Sequence, residues 1–200
     1  MPGTLISVSI APIRTPQPED EMAQSEPSAS QVLARKMTHY MAWANAGLLD
    51  TVAQLPDGEI MKPRQTLFSN MAHTMNHIFV IGDIFRAHLE GRAHGYAGRN
   101  TETSPPFAEV SEKLKEIDRH YVASAAGLSD AALHETVHFT YVGGGDGAMT
   151  RLEILLHLVN HASFHRGFVN DMLFQVPSRG KAFDLTVFLR DAWPGIHNGA

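Results

Sequence analysis

Two hundred residues, 44% apolar and 18% charged, describe a globular chain that buries a sizeable core as one domain plus an extension. A net charge of −5 offers no basic field to a phosphate backbone, which argues against nucleic acid as a partner, and no apolar run is long enough to span a bilayer. With no cysteine, disulfides, thiolate nucleophiles and cysteine-based zinc sites drop out, and twelve histidines and nine methionines are left as the compositional oddities.

Residues 1–29 hold Pro2, Pro12, Pro16, Pro18 and Pro27 among serine and acidic residues and read as a disordered leader, with Met22 as an alternative initiator. The opening LISVSIAPI follows no basic residues and lacks an A-x-A-like cleavage site, so a cytoplasmic protein is expected. The folded domain is expected over residues 30–195. Ser30 suits an N-cap, and Val32, Leu33, Met37, Tyr40, Met41, Ala44, Leu48, Leu49 and Val52 repeat at helical spacing up to the stop at Leu55-Pro56-Asp57-Gly58.

A second helix is expected from Leu67 to Glu90, closed by Gly91, with His73 and His77 four residues apart. Residues 91–106 form a Gly- and Pro-rich loop. A third helix over 106–126 has Val110, Leu114, Ile117 and Tyr121 as its inner stripe. From His134 to Val142 the period changes to that of a strand, and Gly143 to Gly147 make a turn, so a short hairpin precedes the fourth long helix.

That helix starts with a capping box, Thr150 and Glu153, and runs to Gln175. Leu152, Leu155, Leu156, Val159, Phe164, Phe168, Val169, Met172 and Leu173 supply its apolar stripe. His157, His161 and His165 follow one another at steps of four, each step turning only roughly 40° around the axis, so three imidazoles stand in a row at the border of the stripe. After Pro177 and Gly180, Asp184 caps a last short helix through Trp193. Four long helices joined by short links predict an all-α four-helix bundle.

Imidazole is the commonest protein ligand for metals, and two at this spacing can share one ion without bending a helix. Pairs on two helices that can face one another strengthen that reading. Three histidines with an open position suit catalysis, because structural zinc sites are usually closed by four ligands. His134-Glu135-Thr136-Val137-His138 matches the H-E-x-x-H metalloprotease pattern, whose chemistry needs a helix. A strand would set its histidines roughly 13 Å apart, too far for one ion. Met71, Met75 and Met172 read as core filler.

These residues resemble the DinB/YfiT-like superfamily of metal-dependent bundle proteins. The matching parts are Tyr40-x-x-Trp43-Ala44-Asn45, Asn76-His77-Ile78 with Phe85 eight positions after His77, Leu89-Glu90-Gly91, and above all Asn160-His161-Ala162-Ser163-Phe164-His165-Arg166-Gly167, over about residues 32–193. The resemblance implies a four-helix bundle, often a homodimer, with a divalent metal held by His77, His161 and His165. His73 and His157, one turn away, would then support the ligands from outside or serve as alternative ligands. Phe164 and Phe168 stand where the family frequently has polar residues, which makes the rim of the site more apolar here.

Some relatives transfer a small thiol such as bacillithiol or mycothiol, and others are called hydrolases. A metal on three neutral imidazoles keeps its charge, so a bound thiol or water loses a proton near neutral pH, and without cysteine any sulfur nucleophile must arrive as a low-molecular-weight cosubstrate. Nickel, zinc, iron and manganese all accept imidazole. Arg166, about 100° around the helix from His165, is either a substrate contact that steadies an anion or a structural residue. Glu153 and Asp171 lie on the same helix, but no general base is singled out. The leading function is a metal-dependent transferase or hydrolase acting on a small molecule; the alternative is a non-catalytic, metal-binding stress-related protein.

Overall fold

The computed structural model describes residues 26–56, 58–176 and 181–197. The leader up to residue 25, Asp57, and the link containing Pro177 and Gly180 lie outside the described residues. The elements are α1 (Ala29–Val52), α2 (Met71–Leu89), α3 (Phe107–Gly127), α4 (Asp130–Leu133), β1 (Thr136–Thr140), β2 (Asp146–Thr150), α5 (Arg151–Leu173), α6 (Leu185–Asp191) and α7 (Trp193–His197). The architecture is the expected all-α bundle with a short hairpin ahead of the fourth long helix.

α1 starts earlier than its sequence suggests. Ser28, not Ser30, is the N-cap: its hydroxyl accepts from the Gln31 amide at 3.2 Å while the Gln31 side chain accepts from the Ser28 amide at 2.9 Å. Ser30 is then inside the first turn, its hydroxyl 3.1 Å from His134 Nε2. α2 starts later than expected. Ser69 takes a left-handed backbone conformation (φ 67°), and Asn70 caps the helix by accepting from the His73 amide at 2.8 Å. Leu67 and Phe68 therefore leave the helix and become wall residues of the site. At its other end, Arg92 N–H bonds the Ala87 carbonyl at 3.0 Å and Gly91 N–H the His88 carbonyl at 3.2 Å, with Gly91 at φ 67°, a Schellman closure.

α1 and α2 each pack against both α3 and α5, so α1 lies diagonally across the bundle from α2, and α3 from α5. Leu48, Leu49, Met71, Met75, Leu114, Ile154, Met172 and Leu173 fill the centre, and the methionines do serve as core filler. No helix among the described residues is long and apolar enough to cross a membrane.

β1 and β2 pair antiparallel, from Thr136 opposite Thr150 to Thr140 opposite Asp146. Phe139 lies over Gly147, where an added Cβ would come within 2.5 Å of its ring, so the hairpin needs glycine there. The strand is shorter than expected: His134 is the C-cap of α4, a turn of helix the sequence reading missed. The expected single terminal helix is interrupted at Ala192, and Asp184 stands at its N-cap position without a side-chain hydrogen bond.

The capping box of α5 is as expected. Thr150 Oγ1 accepts from the Glu153 amide at 3.2 Å, and Glu153 Oε2 accepts from the Thr150 amide at 2.7 Å. Thr150→Ala is expected to lower stability by about 1 kcal/mol, read by denaturant unfolding, because the Glu153 amide loses its acceptor and the Glu153 carboxylate loses the hydroxyl at the start of the histidine helix.

Candidate metal centre

α5 brings His161 and His165 to one face, and α2, packed against it, turns His77 toward them. The three rings have centroid separations of 4.8 Å (His77 and His161), 4.4 Å (His77 and His165) and 4.5 Å (His161 and His165). One ring nitrogen from each lies within 4.8 Å of the others, and His77 Nε2 is 3.0 Å from His161 Nε2. Two nitrogens on a tetrahedral ion with bonds near 2.1 Å sit roughly 3.4 Å apart, so small ring rotations suffice to seat one cation.

The donor set fits such an ion in a second way. His77 Nδ1 lies 2.6 Å from the Arg99 carbonyl, which can only accept, so the ring proton is held on Nδ1 and the Nε2 lone pair faces the other two rings. His165 Nδ1 is buried with no hydrogen-bond partner among the described residues. The Arg99 carbonyl is itself fixed by its neighbours. Asn76 donates to Asn100 Oδ1 at 2.7 Å and to Thr101 Oγ1 at 2.8 Å, and Asn100 returns a bond to the His73 carbonyl at 3.0 Å.

Burial keeps the rings neutral. It pushes His161 down to about 3, helped by His165, His77 and His157, and His165 down to about 4, helped by His77. His77 is also lowered by burial, against the pull of the Arg99 carbonyl. All three therefore offer lone pairs, not positive charge, across the physiological range.

A stability consequence follows for metal-free protein. In the unfolded chain these rings take up protons as pH falls through 6.5, while in the folded chain they refuse them until much lower pH. Their neutral burial therefore costs nothing above 6.5 and destabilises progressively below it. His161→Phe is expected to flatten this acid limb, by about 2 kcal/mol between pH 6.5 and 5, in urea unfolding measured against pH.

Above the triad opens a pocket of about 720 Å³, lined by Leu67, Phe68, Phe85, Arg99, Tyr141 and Phe164 among others. A neighbouring hollow of about 370 Å³ under the hairpin adjoins this chamber along Ile81, Phe85, Arg99 and Tyr141. The Phe68 ring lies 4.4 Å from that of His77 and 5.8 Å from that of His165.

The remaining sequence candidates fall in different places. His157 lines the chamber, its ring 5.7 Å from that of His161, but stays out of the close cluster. His73 is turned to the Thr101 carbonyl at 3.0 Å. Arg166 is not in the chamber wall. It is buried, with Nη1 donating to Asn45 Oδ1 at 2.8 Å and Nη2 to Ser163 Oγ at 2.7 Å, which favours the structural reading over a substrate contact. Phe164, counted in the apolar stripe and by the resemblance in the rim of the site, is exposed at the chamber rim. Glu153 is engaged in its cap, and Asp171 lines a separate surface hollow.

The H-E-x-x-H pattern does not assemble. His134 ends α4, Glu135 pairs with Arg151 at 3.2 Å, and His138 lies on β1; none belongs to the close histidine cluster. Sequence reasoning missed Phe68, Arg99, Asn100, Tyr141 and Met149 as site residues. Only Ser69-Asn70, a strong cap signal inside the expected helix, hinted at the first.

A sequence model of the DinB family matches residues 22–195. Protein DinB of Bacillus subtilis (strain 168) is 22% identical over 162 residues, covering 78% of this chain and 93% of that protein.

Proposed function

We propose that this chain, which belongs to the DinB family, is a metal-dependent enzyme whose His77, His161 and His165 hold one divalent cation and whose chamber admits a low-molecular-weight thiol or water as nucleophile. The supporting observation is the convergence of three neutral nitrogen donors from two helices at the floor of an apolar chamber. When bound there, a divalent ion on neutral imidazoles lowers the pKa of a coordinated thiol or water toward neutrality.

The chain's own residues do the rest. The Arg99 carbonyl keeps the His77 proton on Nδ1 and so aims Nε2. Phe68 shields His77 and His165 from water on one side. No aspartate or glutamate lines the chamber among the described residues, and we assign proton acceptance from the nucleophile to His157, which lines the wall beside His161 but stays outside the close cluster. A sulfur nucleophile comes from a cosubstrate, because the chain has none.

The test uses untagged protein loaded in turn with nickel, zinc, iron or manganese, and follows conjugation of a small thiol to an aryl halide. Turnover should require the ion, vanish on chelation and return on reloading. His157→Gln should keep the ion but lose about tenfold or more in kcat. A loaded protein that accelerates neither conjugation nor ester hydrolysis beyond free ion would be a passive binder.

A further inference from the structure

We infer that the ligand received by the chamber is an amphipathic organic anion, a carboxylate carried on an aliphatic or aryl body, and that the Arg99 guanidinium takes its charged end. This deepens the metal-centre reading by naming the ligand class, and rests on it only for which end of the ligand faces the histidines.

The apolar half of the inference comes from the walls. Leu67 is 61% exposed, Tyr141 51% and Phe164 61%, and all three stand on the rim of this one pocket. Large apolar side chains held in water around a concave site favour a ligand that covers them. Phe85 and Met149 continue the apolar surface inward. At about 720 Å³, with the adjoining 370 Å³ under the hairpin, the chamber is within the usual range for whole organic ligands and far larger than a lone thiol or water needs.

The charged half comes from an imbalance. The protein as a whole is acidic, at −5. Yet among the described residues that line the chamber none is aspartate or glutamate, and the one permanently charged side chain is Arg99, which sits in the wall common to both hollows. Arg99, like Arg35, Arg119 and Arg166, is absent from the ion pairs of the described residues, but of these four it alone lines the chamber. A cation on the triad would add further positive charge with nothing in the walls to offset it. A planar carboxylate matches the guanidinium fork in shape and charge, and the pairing is charge-assisted at both ends.

The test is titration calorimetry on the full chain, both stripped of metal and loaded, with octanoate, octanol, octylammonium and acetate as probes. In stripped protein octanoate should bind at least about tenfold more tightly than octanol, with octylammonium and acetate weaker than both. Arg99→Gln, which keeps the backbone carbonyl that holds His77, should bring octanoate to within about threefold of octanol while the melting temperature stays unchanged. Octanol equal to octanoate in stripped protein, acetate equal to octanoate, no binding of octanoate, or a preference that survives Arg99→Gln would each overturn the inference. A loaded protein that retains no stoichiometric ion would sink the metal-centre reading instead, and leaves the stripped titration standing.

Discussion

His161→Ala is expected to abolish stoichiometric metal binding while leaving the fold intact. His161 is central to the cluster: its Nε2 is 3.0 Å from that of His77, and its ring centroid 4.5 Å from that of His165. Its loss leaves two donors on different helices, and affinity should drop by at least about 100-fold, since removing even an outer partner of a ligand costs 10- to 100-fold. Elemental analysis of untagged protein should give one divalent ion per chain for the parent and close to none for the variant. The parent should also gain stability from the ion, about 2.7 kcal/mol when free ion exceeds its dissociation constant 100-fold, and the variant should gain nothing. His134→Ala and His138→Ala should behave as the parent, because neither ring is near the cluster. A variant at His161 that retains the ion would end the three-histidine reading, and loss of metal in either of the other two would revive the metalloprotease pattern.

The reason this centre could be read from the chain at all is that half of it is local. A step of four on one helix fixes the relation of His161 to His165 before any tertiary contact forms, and the capping box at Thr150 fixes where that helix begins. The partner, His77, followed from a second helical repeat and from the resemblance of Asn76-His77-Ile78 to the family. What escaped is carried by irregular backbone. The Arg99 carbonyl reaches His77 through a loop with no periodicity, and its path is set by Asn76, Asn100 and Thr101, which meet only in three dimensions. The helix expected from Leu67 to Glu90 takes in Phe68. A left-handed Ser69 and a strong Asn70 cap start the helix at Met71 instead. Phe164 shows the complementary limit: its position on the helix was legible, but that a chamber opens there depends on the hairpin and the loop folding over it.

Arg166 extends the point. Its angular separation from the histidines was readable, while its burial was not, because its partners lie in α1 and α3. Asn45 Nδ2 donates to both oxygens of Asp118, at 3.1 and 3.0 Å, and Asn45 Oδ1 accepts from Arg166 at 2.8 Å. One amide, used in both senses, thus couples a buried carboxylate to a buried guanidinium across three helices. It also ties α5 at the metal centre to Tyr40, whose hydroxyl is 3.4 Å from Arg166 Nη2.

Above pH 7, where Asp118 is ionised, Arg166→Met is accordingly expected to destabilise the protein by about 3–5 kcal/mol, because it strands that carboxylate without its countercharge in the interior. Asp118→Leu should cost a similar amount by stranding Arg166. The double variant should cost clearly less than the two added together, with a coupling of about 1–3 kcal/mol in a double-mutant cycle by urea unfolding. Purely additive losses would mean that Asn45 relays nothing between them.

The pH dependence provides an independent check. Burial outweighs both the Asn45 amide and the Arg166 charge and pushes Asp118 up to about 7, from 3.8. The folded chain therefore holds this proton where the unfolded chain has released it. The contribution of Asp118 is fully present below pH 3.8 and is lost as pH rises to 7, the opposite slope to that of the histidines. Asp118→Asn removes the titration, so its stability relative to the parent should climb with pH between 4 and 7 by up to about 1.4 kcal/mol per unit. A flat difference over that range would mean that Asp118 stays ionised in the fold. The Asn45 link would then join two full charges, and the cycle with Arg166 should return the upper end of its expected coupling.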